Sequence, residues 1–186
     1  MSKPRAKKIK LLLLDVDGVM TDGKIFLIPT GGDVQIEVKG FNAHDGAAFS
    51  LARLGGLKTG IITKRVSETV RLRARDLKIE HVYQGVGDKL SAFREILAKE
   101  NLKPEEAAYV GDDIIDLPVM RHCGLAFAVA NAREDVKDEA HVITDHCGGE
   151  GAVRDAVEYI LKAQESLTRC VDAYISDQTP SEDKHQ

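Results

Sequence analysis

Two aspartates two positions apart, Asp15 and Asp17, stand at the end of four consecutive leucines, Leu11 to Leu14, and run into Gly18 and Val19. Neighbours two apart share a face while the chain stays extended, so both carboxylates can address one crevice. Like charges held that close are costly unless a cation or a reaction uses them. A carboxylate so placed can attack phosphorus to give an acyl phosphate. A second one two residues on can protonate the leaving alcohol and then activate water, help worth roughly 10²–10⁴-fold. Asp and Gly are also ordinary turn residues. What shifts the balance is a second cluster, Gly111-Asp112-Asp113-Ile114-Ile115-Asp116, behind another apolar stretch, Ala107 to Val110. Two strands that empty into Asp-rich loops at one sheet edge supply the hard oxygen ligands that suit magnesium.

A phosphoryl group in transfer also needs a fixed cation and hydroxyl donors around its oxygens. Thr63 ends the segment Lys58 to Thr63, so its hydroxyl can reach such an oxygen, although a threonine at a strand end is commonplace. Lys89 follows Gly85-Val86-Gly87-Asp88 and opens a helix, where the positive end of the helix dipole disfavours a cation. An anionic partner would resolve that conflict; a solvated lysine is the bland alternative.

The elements that must position these residues alternate. Strands are expected at Leu11 to Leu14, Lys58 to Thr63, His81 to Tyr83, Ala107 to Val110, Leu125 to Val129 and Val142-Ile143. Helices are expected at Asp45 to Leu54, Ser67 to Leu77, Lys89 to Glu100, Leu117 to His122, Glu134 to Ala140 and Ala152 to Gln164. This is an α/β pattern, a doubly wound and mainly parallel sheet covered on both faces. Lys24 to Ile28 and Val34 to Val38, around Pro29-Thr30-Gly31-Gly32, read as an inserted β-hairpin. The organisation is a basic leader at residues 1–8, one domain over 9–164, and a helical extension with a disordered tail over 165–186, the polar tail starting near Asp177.

With 186 residues, 43% of them hydrophobic, the chain can bury one substantial core. Its net charge of -4, with basic and acidic residues interleaved, suggests no nucleic-acid footprint. No run approaches transmembrane length, and the apolar stretch after the basic start is too short for an export signal. Cys123, Cys147 and Cys170 are odd in number and lack metal spacing, as expected of reduced thiols in the cytoplasm.

The ordered set Asp15-Val16-Asp17-Gly18-Val19, Thr63, Lys89 and Gly111-Asp112-Asp113 resembles the four motifs of the haloacid dehalogenase superfamily of phosphotransferases. Within it, Thr21-Asp22-Gly23, Phe41 to Gly46, Gln84-Gly85, Asp113 to Met120 and Gly148 to Arg154 look like the 3-deoxy-D-manno-octulosonate 8-phosphate phosphatase family. The resemblance implies a Rossmann-like fold with no cap domain and a magnesium-dependent phosphatase of a phosphorylated sugar acid. By it, Asp15 is the nucleophile and Asp17 the acid/base. Magnesium is held by Asp15, Asp112 and the Asp17 backbone carbonyl, while Thr63 and Lys89 hold the phosphoryl group. Asp17, Asn42, His44, Asp45, Gly46, Arg65, Arg73 and Lys89 correspond to substrate contacts. The family commonly has Arg at the positions of His44 and Ser50, and Gly at that of Lys64, which leaves a related nine-carbon ulosonate 9-phosphate as the rival substrate. The resemblance also implies a homotetramer with shared active sites, in which the hairpin and the Gly148 to Ala152 segment meet a neighbouring subunit.

Two readings of other classes compete. A receiver-type phosphoacceptor domain keeps a phosphorylatable Asp, acids, Thr and Lys, but has no use for an acid/base at Asp17. A non-catalytic oligomerisation module would carry damaged motifs, whereas every catalytic position here is intact.

Overall fold

The computed structural model describes residues 2–31 and 35–178. A one-turn helix, α1 (Lys3–Ala6), leads into β1 (Leu11–Leu14). All four leucines of β1 are wholly buried, as a central strand covered on both faces requires. The chain then forms the hairpin β2 (Phe26–Pro29) and β3 (Gln35–Val38), followed by α2 (Ala43–Leu54), β4 (Lys58–Ile62), α3 (Glu68–Leu77) and β5 (His81–Tyr83). It continues through α4 (Lys89–Glu100), β6 (Ala107–Gly111), α5 (Leu117–Met120), β7 (Leu125–Ala128), α6 (Glu134–Glu139), β8 (Val142–Ile143), α7 (Ala152–Ala163) and α8 (Leu167–Gln178).

The main sheet has six strands in the order β5-β4-β1-β6-β7-β8, all parallel. Helices α2, α7 and α8 pack on one another, and α5 packs against α4 and α6, so two helical layers cover the sheet. The chain winds outward from β1 through β4 to β5, then returns to the other side of β1 and winds outward again from β6. The strand order therefore reverses between β1 and β6. In such sheets the carboxyl ends of the strands at the reversal open into the ligand crevice, and the Asp15 and Asp112 loops leave from those two ends.

Capping accounts for the small differences from the expected boundaries. α2 begins two residues earlier than Asp45, because Asn42 accepts the His44 amide at 2.7 Å and starts the helix there. Ser67 caps α3 rather than belonging to it, and Asp88 accepts the Leu90 and Ser91 amides, which fixes Lys89 as the first residue of α4. The basic start is packed onto the domain, with Ala6 wholly buried and Ser2 Oγ 2.5 Å from the Tyr159 hydroxyl. At the other end α8 continues through Asp177 and Gln178 and buries Cys170 against the core; the rest of the expected tail, 179–186, lies outside the described residues. So do Gly32, Asp33 and Val34 of the hairpin tip. Among the described residues no helix is long and apolar enough to cross a membrane.

The hairpin forms a separate sheet of two antiparallel strands, and its apolar residues stand in solvent: Phe26 is 54%, Leu27 54% and Ile36 51% exposed. The glycine-rich segment makes its close approach within its own chain. The Gly149 amide donates to the Val19 carbonyl at 2.9 Å, and a Cβ on Gly148 would sit 1.7 Å from the Gly18 carbonyl oxygen. These glycines are thus required by the loop that follows Asp15 and Asp17. Gly148→Ala should destabilise the protein by about 1–3 kcal/mol, since the added methyl meets backbone and not a movable side chain. Thermal unfolding checks this, and a melting curve unchanged from wild type would contradict it.

Candidate active site

Asp15 sits one residue past β1 with 4% of its surface exposed. Its Oδ1 accepts the Val16 amide at 2.7 Å, and its Oδ2 lies 2.7 Å from Lys89 Nζ. The same ammonium is 2.7 Å from Asp116 Oδ1, which also accepts from the buried Tyr109 hydroxyl at 2.7 Å. The other oxygen of Asp116 accepts the Asp112 amide at 3.0 Å and so shapes the second acidic loop. The conflict of a lysine at a helix start is resolved by these two carboxylates.

Oxygens of Asp15, Asp112 and Asp116 lie within 4.8 Å of one another. One lysine cannot neutralise three carboxylates, and the remaining repulsion adds to burial in the titration of Asp15 and Asp112. Burial, and then the charge of Asp116, push Asp15 up to about 6 against the pull of Lys89. Burial, with Asp116 and Asp15 behind it, pushes Asp112 up to about 7. Asp112 Oδ1 is buried without a hydrogen-bond partner. An all-oxygen set with excess negative charge and an unsatisfied lone pair fits a divalent hard cation. Gly18 is needed beside it: a Cβ there would lie 2.1 Å from Asp112 Oδ2, and its φ of +88° is one that glycine adopts readily.

Asp17, Thr63 and Arg65 line the same crevice, of about 310 Å³, with Asp15, Asp112, Gly23, Lys64, Asp113 and Ile115. The Asp17 carboxylate is ion-paired with Lys39, whose side chain is completely buried, and lies 3.6 Å from Arg65 Nε. Arg65 is held in turn by Glu37 at 2.9 Å, and Glu37 also accepts from the Ser67 hydroxyl. Glu37 belongs to β3 and Lys39 follows it, so the hairpin reaches back to Asp17.

The other expected substrate contacts do not line this crevice. Asn42 caps α2 and His44 is exposed beside it. Asp45 is buried against α7, where it accepts the Arg154 amide at 2.9 Å; its other oxygen has no partner. Gly46 leaves room for Arg73, whose guanidinium stacks 5.7 Å from the Phe41 ring centre. Sequence reasoning did not single out Asp116, Tyr109, Lys39 or Glu37. Asp116 had a signal, standing four residues after Asp112 in the same acidic run, whereas charges on a hairpin strand give none.

The model of the haloacid dehalogenase-like hydrolase family matches residues 61–161. The chain belongs to the haloacid dehalogenase-like hydrolases. It is 44% identical over 163 residues to the 3-deoxy-D-manno-octulosonate 8-phosphate phosphatase KdsC of Yersinia pestis, covering 88% of this chain and 85% of that protein. The crystal structure of the Yersinia pestis phosphatase superposes with a TM-score of 0.85 at 43% identity, covering 90% and 88% of the two chains. The phosphatase of Moraxella catarrhalis, solved with magnesium, phosphate and KDO, gives 0.85 at 37% identity over 95% and 97%. This hydrolase is therefore a phosphoric monoester hydrolase, and the oxygen cluster at Asp15, Asp112 and Asp116 is chemically suited to hold an ion such as the magnesium of the Moraxella catarrhalis enzyme.

The raised carboxylates give a pH signature. In the unfolded chain Asp15 and Asp112 titrate near their ordinary value of 3.8, and in the metal-free fold at about 6 and about 7. Their ionisation therefore costs the metal-free fold nothing below about pH 4 and its full amount above about pH 7. Magnesium offsets that cost only where the carboxylates are charged. The magnesium-induced rise in melting temperature should be small at pH 5 and large at pH 8. Paired melts with chelator or magnesium test this; a shift independent of pH would contradict it.

Proposed function

We propose that this hydrolase converts 3-deoxy-D-manno-octulosonate 8-phosphate to the free sugar acid and inorganic phosphate through an aspartyl phosphate on Asp15. The observation that carries the reading is the meeting of Asp15, Asp17, Thr63 and Asp112 in one crevice at the sheet's reversal point, in a chain so similar to phosphatases of that substrate. Asp15, Asp112 and the Asp17 carbonyl, with Asp116 added from the oxygen cluster, would hold magnesium. When bound, the ion neutralises charge on the phosphoryl oxygens.

In the first step an Asp15 oxygen forms a bond to phosphorus as the bond from phosphorus to the sugar oxygen breaks. Asp17, entering protonated, gives its proton to that oxygen, so the sugar leaves as an alcohol. In the second step Asp17 takes a proton from water, the water oxygen attacks phosphorus, and the bond to Asp15 breaks to release phosphate. Lys89 and Thr63 hold the phosphoryl oxygens. Lys39 and Arg65 keep the Asp17 carboxylate aimed into the crevice. Asn42, His44, Asp45, Gly46 and Arg73 lie at the α2 and α3 edge, outside the crevice lining, and would act on the part of the sugar that extends beyond it. Free Cys123, Cys147 and Cys170 support a reducing, cytoplasmic setting.

A homotetramer with shared active sites completes the reading. An isolated hairpin is marginal in water, and this one exposes Phe26, Leu27, Ile28, Ile36 and Val38. A second copy of the same surface would cover them and wall off the crevice.

Phosphate release should show Asp15→Asn inactive and Asp17→Asn reduced by about 10²–10⁴-fold. Asp17→Asn should also retain acid-stable label from substrate phosphorus. Wild-type turnover by Asp15→Asn would refute the route, and a clear preference for a nine-carbon ulosonate 9-phosphate would reassign the substrate. Phe26→Glu combined with Ile28→Glu should sediment as a smaller species with reduced kcat/KM; an unchanged sedimentation coefficient would count against assembly through the hairpin.

A further inference from the structure

Most cations at the crevice are already committed. Lys89 serves Asp15 and Asp116, Lys39 serves Asp17, and Arg65 serves Glu37 and Asp17. Lys64 differs. Among the described residues it is the cation lining the crevice that has no carboxylate partner, and it stands exposed on the rim. Its backbone position is nonetheless fixed. The Thr63 amide donates to the Tyr83 carbonyl at 2.9 Å, the Val86 amide to the Thr63 carbonyl at 3.1 Å, and the Gly85 amide to the Arg65 carbonyl at 3.3 Å. The residues on both sides of Lys64 are thereby tied to β5 and the segment before α4, so its long side chain swings from an anchored base.

The electrostatics of a sugar-acid phosphate call for such a group. On the proposed reading its phosphoryl end enters the deep part of the crevice, where Lys89 and a bound magnesium would offset the carboxylates. Its carboxylate is a second anion at the other end of the molecule, and it must approach a wall that already carries Asp17, Asp112 and Asp113. Without a free cation at the rim that approach is repulsive. We propose that Lys64 determines specificity by pairing its ammonium with the substrate carboxylate. The assignment rests on the reading of the substrate as a phosphorylated sugar acid.

Steady-state kinetics of wild type, Lys64→Met and Lys64→Arg should be measured on 3-deoxy-D-manno-octulosonate 8-phosphate and on a hexose 6-phosphate that lacks the carboxylate. Lys64→Met should raise KM for the sugar-acid phosphate about tenfold, the usual scale of a hydrogen bond to a charged group, while kcat moves far less. The ratio of kcat/KM between the two substrates should fall by the same factor. Lys64→Arg should recover most of the loss, and the dependence of KM on salt should weaken in Lys64→Met. An equal loss on both substrates would place Lys64 on the phosphoryl group, and no loss on either would make it a solvated lysine; each overturns the proposal. Wild-type enzyme without preference for the carboxylated substrate would overturn the substrate reading and this assignment together. A wild-type preference left intact in Lys64→Met would overturn this assignment alone.

Discussion

Three carboxylates crowd one end of a buried sheet, and a single lysine stands among them. Lys89 lies 2.7 Å from both Asp15 and Asp116, with its side chain only 3% exposed. Removing either partner of so buried a pair leaves an uncompensated charge, a loss of about 3–5 kcal/mol in comparable cases. Much of the local architecture follows from holding this cluster together. Asp88 starts α4 at the position that delivers Lys89, and Tyr109 on β6 gives its hydroxyl to Asp116. Asp116 in turn accepts amides from the Asp112 loop. The leftover negative charge is what suits the cluster to a divalent cation and sets it apart from a plain salt bridge.

Asp17 belongs to a second network. Two residues from Asp15, it is governed by Lys39 and Arg65, and both of these are organised through Glu37 on the hairpin. The insertion after β1 therefore does two physical jobs: its base orders the carboxylate proposed as acid/base, and its exposed apolar strands supply the proposed subunit surface. In the proposed tetramer the surface that is covered lies on the same hairpin as Glu37, so the proposed assembly and the proposed proton transfer share one segment of chain.

A large part of this molecule was legible before any coordinates. Leu11 to Leu14 reads as a buried parallel strand from its apolar run and abrupt acidic end, and the alternation of apolar runs with helical periods implies a mainly parallel sheet, because parallel strands need crossovers. The two acidic clusters identified its active edge. The helix start at Lys89 is legible in the sequence and that at Glu68 to within one residue, whereas the caps that set the exact starts, Asn42 for α2 above all, emerge only from the structure. The legible features are local or periodic, and such signals survive in one dimension.

Tertiary structure alone decided which charges meet. That β6 returns to the far side of β1, so that Asp112 faces Asp15, is a matter of strand order. Lys39, just past the hairpin, carries no local signal, yet its side chain is buried against Asp17. Asp45, which the resemblance sets among the substrate contacts, also accepts an amide of α7 more than a hundred positions away in the chain. Gly148 and Gly149, which the resemblance sets near a neighbouring subunit, must also be small because Gly18 to Asp22 of the same chain pass against them. In each case the partner is distant in sequence, and the energy of a polar side chain depends on which opposite charge or amide the fold brings within about 3 Å, a distance that no local pattern encodes.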